Sequence, residues 1–229
     1  MRPAPKIKVL IVDDSAVVRK ALKEILSSDE SIEVIGTASD PVVAVNKMSQ
    51  EAPDVLTLDI EMPRMDGISF LKKIMSQHPL PVIICSSFAE QGTDIFNKAI
   101  EYGAADIILK PELNTDEKVE EAKVQICDTV KAAALIKPEK LVKSGSLRRN
   151  KGRGELNSAD VILDRVVLGT VAKVTESIVM IGASTGGTQA LTSLLSVLPS
   201  DAPGIVIVQH MPKGFTQSFA QRLDSLCKI

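Results

Sequence analysis

No stretch of the 229-residue sequence approaches the ~20 consecutive apolar residues that span a bilayer, and the opening apolar run, Val9 to Val12, stops at Asp13. Without a cleavage-like site after that run, no membrane insertion is expected, and the protein is expected in the cytoplasm. An excess of one charge is also missing. The 27 basic and 29 acidic residues give a formal net charge of −2, which supplies no global pull towards nucleic acid or an anionic membrane. An anionic partner must be held locally. Cysteine is scarce: Cys85, Cys127 and Cys227 are odd in number, form no Cys-x-x-Cys pair and sit in apolar stretches. They read as core thiols of a reducing compartment. No repeat recurs at a fixed period, which excludes a solenoid. What is present, 45% apolar and 24% charged residues, excludes disorder and describes a soluble globular chain, long for one domain and comfortable for two.

From Lys8 onward, short β-branched runs alternate with helical patterns. Val9 to Val12 is followed by Val17, Val18, Ala21, Leu22, Ile25 and Leu26 on one helical face. The unit recurs through Val34 to Thr37, Val55 to Leu58, Val82 to Cys85 and Asp106 to Leu109, each run apolar enough for a sheet buried on both faces. That predicts a five-stranded, doubly wound parallel α/β domain over residues 1–136. Residues 137–158 break the pattern. Lys137, Lys140, Lys143, Arg148, Arg149, Lys151 and Arg153 stand against Glu139 and Glu155, a net +5, with Ser144-Gly145-Ser146, Gly152 and Gly154. This is linker composition, and no aromatic residue is interleaved for base stacking, so a solvated tether is expected and not a nucleic-acid arm. Residues 159–229 resume with a strand at Ile178 to Ile181, a glycine-rich turn, and a helix with Leu191, Leu194, Leu195 and Leu198 on one face, ended by Pro199. A strand at Ile205 to Val208 and a helix marked by Phe215, Phe219, Leu223 and Leu226 follow. Two such units cannot bury both faces of a parallel sheet, so this second α/β domain is expected to be incomplete.

Ligands of an open parallel sheet bind outside the carboxyl ends of its strands, so the residues that end each run are informative. Asp13 and Asp14 end the first, Asp59 the third, Ser86 the fourth and Lys110 the fifth. A lone Asp there would read as a helix cap. Three carboxylates brought together repel one another unless a hard, oxygen-preferring divalent cation neutralises them, which predicts magnesium. A carboxylate beside Mg²⁺ can attack a phosphoryl group, with a lysine and a hydroxyl holding the transferred oxygens.

Asp13-Asp14-Ser15, Leu58-Asp59-Ile60-Glu61-Met62-Pro63-Arg64-Met65-Asp66-Gly67, Ser86 and Lys110-Pro111 closely resemble the receiver domain of bacterial response regulators, over residues 6 to about 130. The resemblance implies phosphorylation at Asp59, with Mg²⁺ ligated by Asp14, Asp59 and the backbone carbonyl of Glu61, and with Asp13 acting through a bound water. It also implies that Ser86 and Lys110 bind the phosphoryl oxygens, that Lys110-Pro111 is a candidate cis peptide, and that a histidine kinase is the phosphodonor. One position departs from the pattern: Ile107 stands where many receivers carry an aromatic switch residue.

In Gly182-Ala183-Ser184-Thr185-Gly186-Gly187, Ser184 falls on a tight turn between a strand and a helix, whose N-terminal amides could stabilise an oxyanion. Gly-x-Ser-x-Gly alone is a weak signal, equally compatible with a structural or phosphate-binding glycine turn. His210 strengthens it. Of the two histidines, His78 lies at a helix end and reads as a surface residue, whereas His210 ends the very next strand, in Gln209-His210-Met211-Pro212. A right-handed crossover brings the two strand ends to one edge of the sheet, where imidazole and hydroxyl can meet.

With both motifs in order, the chain resembles the chemotaxis-specific protein-glutamate methylesterases: receiver, tether, serine hydrolase. The resemblance implies removal of methyl groups from glutamate methyl esters on cytoplasmic helices of chemoreceptors, and deamidation of receptor glutamines in many members. It assigns Ser184 as nucleophile, His210 as general base and then acid, and Thr185 as a residue shaping the site, with no cofactor for the ester chemistry. It also implies that the unphosphorylated receiver restrains the hydrolase domain. The family's third triad member, an Asp, has no match before Ile229, and neither Asp201 nor Asp224 fits its motif. The expectation is therefore a truncated chain with a competent receiver and a deficient esterase, the alternative being a phosphoryl-accepting module without active output.

Overall fold

The β-branched runs form five strands in the computed structural model, which describes residues 5–62, 66–87, 93–111, 114–137, 177–212 and 214–229. These are β1 (Ile7–Val12), β2 (Ile32–Ala38), β3 (Val55–Asp59), β4 (Val82–Ser86) and β5 (Asp106–Leu109), all parallel in the order β2-β1-β3-β4-β5. The interleaved helices are α1 (Ala16–Ser27), α2 (Pro41–Gln50), α3 (Gly67–Gln77), α4 (Thr93–Glu101) and α5 (Asp116–Ala134). Winding reverses between β1 and β3, so a crevice opens beyond their carboxyl ends.

The pleat divides each apolar run between two cores. Leu10, Leu56, Leu58, Val82, Ile84 and Ile107 face one side, against Phe70, Leu71 and Ile74 of α3 and Phe96 and Ile100 of α4. Val9, Ile11, Val55, Ile83, Cys85 and Ile108 face the other, against Leu22, Ile25 and Leu26 of α1 and Ile126, Cys127 and Val130 of α5. Burying one such side chain contributes ~1.5–3 kcal/mol, which explains why runs without polar alternation hold a central sheet. Helix starts are set by oxygen-bearing side chains. Ser15 accepts from the Val18 amide, Asp40 from those of Val42 and Val43, Asp66 from that of Ser69 and Thr115 from that of Lys118, each cap contributing about 1 kcal/mol.

A second parallel pair follows: β6 (Ile178–Ala183), α6 (Gly187–Leu195), β7 (Gly204–Gln209) and α7 (Phe215–Leu226), with Ile178 paired to Gly204 and Ala183 to Gln209. One face of this pair carries α6 and α7. On the other, Ile178, Met180, Val206 and Val208 are exposed, Met180 to 82%. The covered side joins the first domain through α4: Leu191, Leu195, Phe215 and Phe219 belong to the same buried cluster as Phe96 and Ile100.

Several expectations need correction. Val17 is 68% exposed, because the buried stripe of α1 runs through Ala21, Leu22, Ile25 and Leu26 and Val17 lies one step outside it. Leu194 is likewise exposed, while Leu191 and Leu195 are buried. Cys85 and Cys127 are core thiols, but Cys227 is only partly buried. The Lys110–Pro111 bond is trans, the isomer that X–Pro peptides favour by ~0.5–1 kcal/mol. The tether expected at 137–158, apart from Lys137, and the expected start of the second domain at 159 lie outside the described residues, as do Pro63, Arg64 and Met65.

Candidate functional site

Three carboxylates and one lysine, drawn from the ends of β1, β3 and β5, converge at the crevice. One ligand oxygen from each of Asp13, Asp14 and Asp59 lies within 4.8 Å of the others. Asp13 and Asp59 are buried, and Asp14 is exposed towards solvent. The ammonium of Lys110 bridges the two buried acids, 2.9 Å from Oδ2 of Asp13 and 2.8 Å from Oδ2 of Asp59. Burial raises the Asp59 pKa above its ordinary value, against the pull of Lys110. For Lys110, burial works downward, but hydrogen bonds to Asp59 and Asp13 outweigh it and the net shift is upward. Three carboxylates facing one ammonium suit a hard divalent cation, and the donors are all oxygens, so the residues fit magnesium.

The backbone around the pocket is as closely specified as its acids. The amide of Ser15 donates to Oδ1 of Asp13 at 2.8 Å, and that of Glu61 donates to Oδ1 of Asp59 at 3.2 Å. Lys110 N donates to the carbonyl of Ser86 at 2.9 Å, which seats β5's end beside that of β4. Gly67 has room for no side chain, since a Cβ there would stand 2.1 Å from the carbonyl oxygen of Asp59 and 2.8 Å from Cα of Ile60.

At the second sheet, the geometry follows from strand register. Ala183 pairs with Gln209, so Ser184 and His210 are the first residues beyond a matched pair on adjacent parallel strands, and the His210 amide donates to the Ala183 carbonyl at 3.0 Å. Both residues are exposed at the same carboxyl edge. The turn closes by donation from Gly187 N to the Ser184 carbonyl at 2.7 Å, through Gly186 in the left-handed region at φ 74°. His78 is exposed at the end of α3, away from both sites.

Four further residues shape these sites. Arg19 Nη1 donates to the carbonyls of Asp13 and Asp14 at 2.8 and 2.9 Å, clamping the acidic turn from one helical turn away. Gln209 Nε2 donates to the carbonyls of Ser184 and His210, both at 2.9 Å, and ties the two strand ends together. Its side chain occupies the space beside Gly187, where a Cβ would meet Oε1 at 2.1 Å. Asp106, at the start of β5, accepts from the Ile107 amide at 2.8 Å, and burial raises its pKa against the opposing pull of that bond, of Thr185 and of His210. Phe96 stacks on Phe215 with ring centroids 5.2 Å apart. The fixed offset of Arg19 from the Asp13-Asp14 pair is a signal in the sequence; the contacts of Asp106 and Phe96 cross between domains and have none.

An acidic pocket of Asp13, Asp14 and Asp59 lies at the carboxyl edge of a 2-1-3-4-5 sheet, and residues 9–122 match the response regulator receiver domain family, which defines the class of the first domain. Residues 179–229 match the CheB methylesterase family. The chain thus carries a receiver domain followed by a segment that matches the CheB methylesterase family, the two parts in the order read from the sequence. It is 55% identical over 224 residues to protein-glutamate methylesterase/protein-glutamine glutaminase 3 of Geobacter metallireducens, covering 98% of this chain and 62% of that protein. With the corresponding protein 5 of Anaeromyxobacter dehalogenans it shares 52% identity over 226 residues, 99% of this chain and 61% of the relative. The chain thus spans about three fifths of the length of the curated relatives it matches. Among solved structures, the response regulator domain of Thermotoga maritima CheB is similar with a TM-score of 0.52 and 39% identity, over 58% of this chain and 99% of that one.

Proposed function

We propose that this chain supplies the receiver and the Ser184–His210 part of a phosphorylation-controlled hydrolase of glutamate methyl esters on chemoreceptors, with deamidation of receptor glutamines as a second activity of the same site. The observation that carries this reading is the register of β6 and β7, which delivers Ser184 and His210 to one edge in a chain that also holds the Asp13, Asp14, Asp59 and Lys110 pocket. The names of the relatives from Geobacter and Anaeromyxobacter support it.

In the receiver, a carboxylate oxygen of Asp59 attacks the phosphorus of a kinase phosphohistidine, the P–N bond breaks and an acyl phosphate forms. Asp14, Asp59 and the carbonyl of Glu61 would hold magnesium directly and Asp13 through water; bound there, it supplies neutralisation of the carboxylate and phosphoryl charge. Lys110 exchanges a carboxylate for a phosphoryl oxygen, and the Ser86 hydroxyl holds another. In the hydrolase domain, His210 removes the proton of Ser184 Oγ as that oxygen attacks the ester carbonyl, then returns it to the departing methanol; water and the same imidazole release the acyl group. Thr185 shapes the turn. The site suits a cytoplasmic protein acting on receptor helices outside the bilayer, and no described helix is long and apolar enough to cross a membrane.

Methanol release from methylated receptor, with and without phosphodonor, tests the reading. Ser184→Ala should abolish release and Asp59→Ala should abolish its stimulation. Equal release by the protein and its Ser184→Ala variant would leave only a phosphoryl-accepting module.

A further inference from the structure

The hydrogen-bond ladder of α1 starts just after the two acids that end β1. The Arg19 amide donates to the Ser15 carbonyl at 3.0 Å and the Val18 amide to the Ser15 hydroxyl at 3.4 Å, which leaves the carbonyls of Asp13 and Asp14 outside the helix. Both accept instead from one nitrogen, Nη1 of Arg19, at 2.8 and 2.9 Å. The two acids differ in what else holds them. Asp13 is buried, its amide donates to the Ala38 carbonyl at 3.1 Å, Oδ1 accepts from the Ser15 amide at 2.8 Å, and Oδ2 faces Lys110 at 2.9 Å. Asp14 is exposed, and among the described residues its carboxylate has neither a hydrogen bond nor an ion pair. Its placement therefore depends on the peptide behind it, and among the described residues Arg19 is the side chain that holds that peptide.

We propose that Arg19 is a positioning residue for magnesium in the acidic pocket: by drawing the carbonyls of Asp13 and Asp14 towards α1, it fixes the turn from which the Asp14 carboxylate reaches the ion. The proposal rests on the reading of Asp13, Asp14 and Asp59 as a magnesium-dependent phosphoryl-acceptor site. Magnesium demands near-ideal octahedral placement of its oxygens, so a carboxylate on a loose turn must be ordered when the ion binds, at a cost in affinity. Charge alone predicts the opposite effect. A guanidinium bonded to the backbone of both acids adds positive charge beside a site for a dication, and Coulomb's law has its removal tighten binding. Weaker binding after its removal therefore separates placement from charge.

The difference in sign gives a test in the present chain that needs no enzymatic activity. Magnesium chloride is titrated into the protein and followed through the amide resonances of the receiver. Arg19→Met, which keeps the apolar stem and loses both donor and charge, should weaken magnesium about tenfold, within the range for losing a partner that orients a metal ligand. Arg19→Lys keeps the charge on a side chain one bond shorter and should bind no more tightly than Arg19→Met, because the turn is held by reach and hydrogen-bond geometry. Lys20→Met removes a charge from the exposed neighbouring position and, that charge being screened by solvent and salt, should match the unaltered chain within about twofold. Added magnesium should also raise the urea midpoint of Arg19→Met less than that of the unaltered chain, whereas a merely structural arginine would lower both midpoints and leave the gain unchanged. Arg19→Lys carries the test if Arg19→Met fails to fold. Affinity equal to or tighter than that of the unaltered chain in either Arg19 variant would overturn the proposal and leave the pocket as the acceptor site. An unaltered chain that binds no magnesium would overturn the reading of the pocket, and the role of Arg19 with it.

Discussion

Lys110 and Asp59 meet at 2.8 Å, and because the same ammonium stands 2.9 Å from Asp13, one cation holds together two buried carboxylates. Removing it leaves like charges facing each other with little water between them. Lys110→Met should therefore destabilise the metal-free receiver by ~3–5 kcal/mol, the usual cost of breaking a buried ion pair from one side. Urea denaturation in the presence of a chelator measures the loss. Added magnesium should restore more stability to the variant than to the unaltered protein, and equal gains would show that the acids do not share a cation site.

Gly67 should not tolerate a methyl group. Its Cβ would collide with backbone atoms of Asp59 and Ile60, which cannot swing aside as a side chain can. Gly67→Ala should cost ~1–3 kcal/mol and slow phosphorylation of Asp59 by acetyl phosphate. Gly182→Ala, where nothing lies within 4 Å of the new Cβ, is the control and should change stability by about 0.5 kcal/mol at most.

A pH-dependent contribution comes from Asp29, which accepts from the Ser31 hydroxyl and amide and from Lys131. Those bonds lower its pKa from 3.8 to about 2, the Ser31 hydroxyl contributing most. Because the folded value lies below the unfolded one, the stabilisation is fully present above pH ~4 and fades as pH falls towards ~2. The stability difference between the protein and Asp29→Asn should shrink over that window. A difference that stayed constant down to pH ~2 would remove Asp29 from the account.

The three thiols should react in order of exposure. Burial raises the pKa of Cys85, Cys127 and Cys227 alike, but only Cys227 is partly open to solvent. A chromogenic disulfide reagent should modify Cys227 first in the native protein, and Cys85 only on unfolding. Fast native labelling of Cys85 would mean that β4 is more open than its packing indicates.

The acidic pocket was legible in the sequence because a buried parallel strand ends where its apolar run ends, so Asp13, Asp59 and Lys110 could be placed by the break alone. Ser184 and His210 were legible for the same reason, on adjacent strands of a βαβ unit. Periodicity marks the stripe on α1 but not its width, which is why Val17 reads as interior and stands outside. Asp106 reads only as the first residue of a strand, and Phe96 only as a core residue of a helix. Their partners, Thr185 and Phe215, lie about 80 and 120 residues further along, and no local pattern encodes which faces of two domains meet.

Phe96 and Ile100 from the receiver share one apolar interior with Leu191, Leu195, Phe215 and Phe219. An interior without a seam offers heat no place to stop. Calorimetry should therefore record a single endotherm for the two halves, and a variant that opens this junction, such as Phe96→Ala, should split it into two.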